Sequence, residues 1–469
     1  GFGATSSCKS FKIAFEATSY CLSGENCSIY MINNAKFFNL KDDFFDNIGW
    51  SCFQLGVLFL ASSAFISYIF LLIALVYGSF RRRDIYWRDY WNYPLLLISS
   101  LMLLGCIHSQ TGSLAWLGLF NWLPFFLCFW GFQPFLLTPE RRQKCASLLV
   151  LGSLPVLITG FGQLWLGWEG PWQFFDGLII WFISPGGEPL GRLSGLFDYA
   201  NITAAWLSGI WSFSLASVLQ PFIFRKNRVI PFVLLIAFVL AIILTDSRNA
   251  WGAIFLGLPL VFGSGSWPWL LPLMLICFLP VVIAVLPLFD SGIQQLARNI
   301  VPESIWMRLN DMKFVDSRPF EATRIGQWKF AINLILEKPI LGWGAAAFSI
   351  IYPLRVGLSH GHSHNLPLEL AISNGILVSF LLNIFVFSLL IISAYFGIFN
   401  KLNLRKTLMI DRAWWTSALI LVCFHATDMP MFDSRVNMLG WILLIGLRCI
   451  IIDSNSNGIQ LIKVKSLYS

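Results

Sequence analysis

The chain has 469 residues, of which 57% are hydrophobic and only 12% are charged. Because a soluble domain carries about 25% charged residues, this composition excludes an ordinary water-soluble enzyme and indicates an integral membrane protein. The net charge of +8 requires no nucleic acid as a partner, since excess Lys and Arg in a membrane protein mainly set its orientation. None of the ten cysteines stands in a CxxC pair, which argues against a disulfide framework or a structural zinc site.

The apolar runs predict an all-α fold, a polytopic transmembrane helical bundle of about twelve spans. The first run, from Ser51 to Tyr77, is too long for one span, and we split it near Ser62 and Ser63. The remaining spans are predicted at residues 93–107, 114–137, 144–162, 202–219, 231–244, 250–263, 267–287, 371–396, 412–427 and 436–452. A cytoplasmic N-terminal segment (1–47) and a cytoplasmic C-terminal tail (453–469) are expected to flank this transmembrane domain, 48–452.

Basic residues cluster after every second predicted span, except at the short link near residue 264. The clusters contain Arg81, Arg82, Arg83 and Arg88, then Arg141, Arg142 and Lys144, then Arg225, Lys226 and Arg228, then Lys401, Arg405, Lys406 and Arg412, and finally Lys463 and Lys465. The positive-inside rule places these clusters in the cytoplasm, together with both termini. The connections 163–201, 245–250, 288–370 and 428–435 are then predicted to face outward.

Two segments of these outward connections have residue patterns that predict local structure. Residues 323–338 predict an amphipathic helix, with Thr323 as its N-cap, Pro339 at its end, and Ile325, Trp328, Ile332 and Ile335 at helical spacing. We expect it to lie on the membrane surface or to pack on the bundle. Residues 168–184 are aromatic but interrupted by Gly and Pro, which favours an interfacial or re-entrant segment over a full span.

Four outward features carry groups that can bind an anion or move a proton. They are Arg192 with Asn201 before the sixth span, Arg248 in the turn TDSR, Arg324 at the start of the amphipathic helix, and the pair His364–Asn365. Arginine binds phosphate or carboxylate through a planar fork, and imidazole titrates near neutral pH. An Arg at a helix end often only reaches toward lipid phosphate, and a loop histidine is often inert. The convergence of all four features on one predicted side favours a functional site.

The spacing of His360, His362 and His364 leaves a metal site open as an alternative. Alternate residues of an extended strand share one face, so three imidazoles could meet one zinc ion. Glu369 and Asp428 could join them, but no Cys and no pattern of carboxylates supports such a site. We therefore predict a site without metal.

The chain resembles the O-antigen ligase and polymerase superfamily of membrane proteins. The resemblance rests on RLSGLFDYANITAA, TDSRNAWGA, RIGQWKFAINLILEKPILGWGAAAF and HSHNLPLELAISNG, in that order, between about Val150 and Gly440. The stretch HATDMPMFDSRVN is similar in particular to the cyanobacterial branch of putative bicarbonate (inorganic carbon) transporters.

The resemblance implies a multi-pass protein of the bacterial inner (plasma) membrane that transfers a saccharide at the outer face. Its donor would be a glycan linked to a polyprenyl diphosphate such as undecaprenyl diphosphate, and its acceptor a saccharide or a lipid. By the same resemblance Arg192, Arg248 and Arg324 would hold the diphosphate, with Asn201 and Asn365 beside the substrate, and His364 would be the base. Neither metal nor other cofactor is implied.

Transport of bicarbonate stays open as an alternative function. Transporters usually bind substrate near the middle of the bilayer, through buried ionisable groups. Here almost no charge stands at the centre of a predicted span, and the charged groups gather at the predicted outer mouth. The distribution of charge favours chemistry at the membrane surface.

Overall fold

The computed structural model describes residues 44–80, 82–223, 228–286, 290–309, 319–398 and 408–467. Most of the predicted N-terminal segment, 1–47, lies outside these residues. Six helical stretches within them are long and apolar enough to cross a membrane: Ser113–Gly131, Pro139–Trp165, Ala200–Leu219, Ser264–Val285, Ile376–Ser393 and Ser434–Ser454. Further apolar helices are shorter. An all-α polytopic helical protein, as predicted, is confirmed.

The first half of the bundle follows the predicted apolar runs. Its helices are α1 (Phe44–Phe59), α2 (Ala64–Phe80), α3 (Asn92–Ile107), α4 (Ser113–Gly118), α5 (Leu123–Gly131), α6 (Gln133–Leu136), α7 (Pro139–Gly152), α8 (Leu154–Trp165) and α9 (Ala200–Leu219). The predicted split of the first run is confirmed, since α1 and α2 are separated by a turn that contains Ser62 and Ser63. The predicted span 114–137 is instead broken into three helices. Pro124 and Pro134 stand in the first turns of α5 and α6, where proline begins a helix readily.

The second half contains α10 (Val229–Leu244), α11 (Arg248–Phe262), α12 (Trp267–Val285), α13 (Ser291–Ile300), α14 (Glu303–Leu309), α15 (Arg324–Glu337), α16 (Ala347–Val356), α17 (Leu366–Asn374), α18 (Ile376–Ser393), α19 (Leu408–His425) and α20 (Ser434–Leu467). Helix α20 continues beyond residue 452, where the last span was predicted to end. The predicted span 371–396 is divided at Gly375, whose φ is +90°. A Cβ at Gly375 would overlap the carbonyl oxygen of Ile340, so a close backbone approach fixes this break.

The aromatic segment 168–184 forms an antiparallel hairpin rather than a helix. Strand β1 (Trp172–Phe174) pairs with β2 (Ile179–Trp181). The hairpin is tied to the turn after α1, because the indole N–H of Trp181 donates to the Ser62 carbonyl over 2.8 Å. At its tip the ring of Phe175 is 78% exposed, which suits the predicted interfacial position.

The predicted amphipathic helix is confirmed as α15, which ends at Glu337, two residues before Pro339. Thr323 caps it as predicted, since its Oγ1 accepts from the Gly326 N–H over 3.2 Å. Only part of the predicted apolar stripe is buried, because Ile325 and Ile332 are exposed. The buried face of α15 instead joins α16 and α17 in a small core with Ala331, Leu334, Phe348, Tyr352 and Ile372. This core holds the histidine loop, residues 357–365, between α16 and α17.

Candidate functional site

Asp428, in the short connection after α19, joins three other segments of the chain. It is 8% exposed. Its Oδ1 lies 3.2 Å from Nδ1 of His364 and accepts from the Met429 N–H over 2.9 Å. Its Oδ2 accepts from Nδ2 of Asn201 over 3.1 Å and lies 3.8 Å from the Arg324 guanidinium. We call Arg192, Asn201, Arg324, His364 and Asp428 the histidine network.

The histidine loop is held against Asp428 by Asn365. The Asn365 Oδ1 caps α17 by accepting from the Leu368 N–H over 2.9 Å, while its Nδ2 donates to the Ala426 carbonyl over 2.8 Å. One side chain thus starts a helix and ties the loop to the connection that carries Asp428. The backbone of His364 itself has φ +54°, a left-handed conformation that few L-residues adopt.

The contact with Asp428 sets which ring nitrogen of His364 carries the proton. Burial raises the pKa of the Asp428 carboxyl, but His364, the Arg324 guanidinium and the Met429 N–H outweigh it and hold that pKa below its usual value. An ionised carboxylate only accepts hydrogen bonds, so Nδ1 of a neutral His364 is the donor. The Nε2 lone pair is then available, and no described residue donates a hydrogen bond to it. This is the geometry of an oriented general base.

Arg192 approaches the same carboxylate through Asn201. Its Nη2 donates to the Asn201 Oδ1 over 2.6 Å, and its Nε donates to the Thr245 carbonyl over 2.8 Å. Both acceptors are neutral, and among the described residues no carboxylate lies within 4 Å of the Arg192 guanidinium. Burial, followed by the neighbouring Arg308, lowers the pKa of Arg192. A positive charge without a carboxylate partner favours binding of an anion here.

Arg248 opens helix α11, three residues after the Thr245 carbonyl that binds Arg192. It is partly buried and has an interaction within the protein. The turn that carries it is held by a further arginine, since Arg308 lies 3.2 Å from the Asp246 carboxylate. The Asp246 backbone has φ +49°. The structure therefore places Arg248 on a fixed turn beside the histidine network. Arg308, which we did not select from sequence, contacts the same turn from helix α14.

The structure does not bring together the three histidines predicted as an alternative metal site. The group whose ligand atoms lie within 4.8 Å of one another is His362, His364 and Asp428, without His360. Nδ1 of His362 already accepts from the His364 N–H over 3.2 Å. The Asp428 carboxylate is shared with an amide and a guanidinium. A metal ion would displace these donors and face the charge of Arg324, so the set fits a hydrogen-bonded base better than a metal centre.

The structure brings four of the six predicted residues, Arg192, Asn201, Arg324 and His364, into one network, with Asn365 supporting the loop and Arg248 on the adjoining turn. Asp428, which connects them, was considered from sequence only as a further metal ligand. A signal for it existed, because an acid in a short connection on the same predicted side as the arginines has few other partners. Asp428 and Asn201 are 227 positions apart in the chain, so no repeating pattern in the sequence predicts their contact.

Residues 232–383 match the family model described as O-antigen ligase. The match begins in α10 and ends in α18, so it includes Arg248, Arg324, His364 and Asn365 and leaves out Arg192, Asn201 and Asp428. The resemblance to the O-antigen ligase superfamily is thereby confirmed, while the cyanobacterial branch stays a prediction. No curated protein matched the chain.

Proposed function

From the O-antigen ligase region at residues 232–383, we propose that this chain is a membrane glycan transferase. It moves a saccharide from a polyprenyl-diphosphate donor to an acceptor hydroxyl on the outer side of the membrane. The observation that carries the proposal is the His364–Asp428 pair, with its available Nε2, beside the guanidinium of Arg192, which donates to the neutral acceptors Asn201 and Thr245. The transfer needs a base and a cationic site together.

In the proposed reaction Nε2 of His364 takes the proton of the acceptor hydroxyl. The acceptor oxygen attacks the anomeric carbon of the donor sugar and forms the new glycosidic bond. The bond from that carbon to the diphosphate oxygen breaks, and the polyprenyl diphosphate leaves with the electron pair. Arg192, Arg248 and Arg324 stabilise its negative charge, with Asn201 holding Arg192 in place. Asp428 keeps the imidazole oriented and stabilises the imidazolium that forms.

Reconstitution in liposomes tests this proposal. Purified protein is offered a polyprenyl-diphosphate-linked oligosaccharide with saccharide and lipid acceptors, and labelled bicarbonate uptake is measured in parallel. We expect transfer without added metal, and a loss of about tenfold or more in Arg192→Ala and Arg324→Ala, since charge-assisted contacts to a diphosphate are strong. Arg298→Ala is the matched control, because that arginine of the same loop contacts the Ala284 carbonyl and the Trp306 ring instead. Transfer that survives EDTA and fails in all three variants alike would point to folding rather than to the network.

Bicarbonate uptake without transfer would overturn the proposal. The family match gives no support to that alternative.

The outward direction of the site has its own test. A cysteine is placed at Ser359, an exposed position of the histidine loop, after Cys8, Cys21, Cys27, Cys277 and Cys423 have been replaced. We expect an impermeant thiol reagent to label it from the outside of intact cells. Labelling from the cytoplasmic side alone would contradict the predicted orientation and the reaction proposed for it.

A further inference from the structure

One buried glutamine holds the loop that carries Arg192. Gln163 lies two residues before the end of α8 and is 1% exposed. Its Oε1 accepts from the main-chain N–H of Ser194 over 3.0 Å and from that of Gly195. Its Nε2 donates to the Ser184 carbonyl over 2.8 Å and to Oγ of Ser194 over 3.2 Å. An amide offers two donors and two acceptor positions, so this side chain uses its full capacity on a single loop.

These contacts close residues 184–195, which we call the arginine loop, at both ends. The loop contains turns but no helix or strand, and Gln163 joins its first residue to its last two. A Cβ at Gly187 would overlap the Arg192 carbonyl oxygen, so the loop folds back closely on itself. Because Arg192 lies two residues before Ser194, the anchoring of Ser194 sets the point from which the Arg192 side chain extends.

Two neighbouring contacts carry this constraint to α9. Oγ1 of Thr203 donates to the Ser194 carbonyl, and Nη2 of Arg192 donates to Oδ1 of Asn201. Each contact joins residues that are nine positions apart, and the two pairs are offset by two residues on both segments. The segment that Gln163 anchors is thus the one from which the Arg192 guanidinium reaches Asn201.

A second buried glutamine, Gln133, forms no such clamp. Its side chain is also wholly buried. Its Nε2 donates to the Phe129 carbonyl, one helical turn earlier, over 2.9 Å, and within the described part of the chain its Oε1 has no partner. The amide of Gln163, by contrast, contacts residues 21 to 32 positions away. Burial alone therefore does not account for the contacts of Gln163, which all serve to hold the arginine loop.

We propose that Gln163 is a positioning residue for the donor diphosphate, because it fixes the arginine loop and with it the Arg192 guanidinium before the substrate binds. The inference rests on the proposed glycan transfer and extends it to a side chain that is too deeply buried to touch either substrate. A cation that is already in place loses less conformational entropy when the anion binds. Loss of this clamp therefore weakens binding of the diphosphate and leaves binding of the acceptor unchanged.

Binding of undecaprenyl diphosphate, the expected product of transfer, tests the inference without requiring turnover. The Kd for this lipid is measured in detergent with the wild-type protein and with Gln163→Met, which keeps the length of the side chain and removes its amide. We expect Gln163→Met to raise the Kd about tenfold, because a charge-assisted contact loses its geometry. In an Arg192→Ala background the same substitution should change the Kd by less than about twofold, since the effects of residues that act through one contact do not add.

Two further variants separate positioning from folding. Thr203→Val removes only the neighbouring hydrogen bond to Ser194 and should raise the Kd about threefold, which decides the question if Gln163→Met does not fold. Gln133→Met is the matched control, since it makes the same change at a buried glutamine outside the arginine loop, and its Kd should equal that of the wild type.

A Kd at the wild-type value in Gln163→Met and Thr203→Val, or an equal rise from Gln163→Met in both backgrounds, would overturn the positioning role. Transfer is assayed with the same preparations. A wild-type protein that binds the diphosphate without transferring a saccharide would overturn the proposed function alone. A wild-type protein that does not bind the diphosphate would overturn both.

Discussion

Two regions of the molecule contain arginines in polar networks, and the arginines of the two regions have different partners. In one, Arg142 is wholly buried and donates to Asp411 over 2.9 Å and to Asp453 over 3.2 Å. Its remaining N–H groups donate to the Leu136 and Leu137 carbonyls. We call Arg142, Asp411 and Asp453 the Arg142 cluster. In the histidine network, by contrast, Arg192 has only neutral acceptors among the described residues.

The side chains of the histidine network are also more exposed to solvent than that of Arg142. The side chains of Arg324 and His364 are 34% and 27% exposed, whereas the side chain of Arg142 is fully buried. A cation enclosed by two carboxylates has no capacity left for a ligand, and its loss leaves charges buried without partners. Arg192, which is only partly buried and donates to neutral acceptors, contributes less to folding and can bind an anion. The comparison predicts that changes in the histidine network reduce activity and changes in the Arg142 cluster reduce folding.

The largest effect on activity is expected at the base. His364→Ala should lower the transfer rate by about 10²–10⁴, which is the usual contribution of general acid–base catalysis. Expression and melting temperature should stay at wild-type values, since the imidazole is partly exposed. The rate is measured in liposomes, with His360→Ala as the control, because that histidine is expected to be tolerated. An equal loss from His362→Ala, together with a loss of transfer in EDTA, would instead indicate a metal held by His362, His364 and Asp428.

The largest effect on folding is expected at Arg142. Arg142→Met should destabilise the protein by about 3–5 kcal/mol, because Asp411 loses its partner inside the protein. The measurement is the yield of monodisperse protein in detergent and its melting temperature. Arg142→Met combined with Asp411→Leu should recover most of the loss, since removing both charges of a buried pair is often nearly neutral. A single variant as stable as the wild type would contradict the structural role of this cluster.

An intermediate effect is expected from pH at His362. Burial, and then the neighbouring His364, lower the pKa of His362 to about 4, below the value of about 6.5 expected in the unfolded chain. The unfolded state therefore binds more protons between these values, and stability falls as the pH drops from about 6.5 towards 4. The loss is on the order of 3 kcal/mol. Melting temperatures measured from pH 7 to pH 4.5 should decline less in His362→Asn, which keeps an acceptor for the His364 N–H. Equal declines would show that other groups cause the acid sensitivity.

The smallest effect is expected at an ion pair that is well formed but exposed. Arg355 donates to both carboxylate oxygens of Glu337, and the two side chains are 44% and 40% exposed. Surface pairs contribute only about 0–1 kcal/mol, so Arg355→Ala should change neither the transfer rate nor the melting temperature by much. A large loss of activity would show that the anion-binding surface extends beyond the histidine network.

The helical framework was predictable because apolar runs and caps are local signals. The turn at Ser62–Ser63, the Thr323 cap and the end of α15 at Glu337 follow from neighbours in sequence. The break at Gly375 was not predicted, because it depends on the approach of Ile340, which comes from another segment. Arg142 was interpreted as an orienting charge at the membrane surface, and its burial could not be foreseen without knowing that Asp411 packs against it.

The candidate site was predictable in its residue types and not in its assembly. Arg192, Arg324 and His364 were selected because arginine and histidine stand on one predicted side of the membrane. Asp428 is the common partner of Asn201, Arg324 and His364, and predicting it requires the three-dimensional path of four separate segments. The exposed positions of Ile325 and Ile332 have a similar cause, since helical spacing identifies an apolar face without saying whether protein or lipid covers it.

The position of Asp428 in the chain has a consequence for how the protein is made. The ribosome synthesises Asn201, Arg324 and His364 before the carboxylate that links them, and that carboxylate arrives with the connection between α19 and α20. Until α19 has been inserted, the imidazole has no acceptor to hold its ring, and Asn365 has no Ala426 carbonyl to anchor its loop. A nascent chain thus lacks the complete histidine network during most of its insertion, and nearly the whole bundle is in place before the network can form.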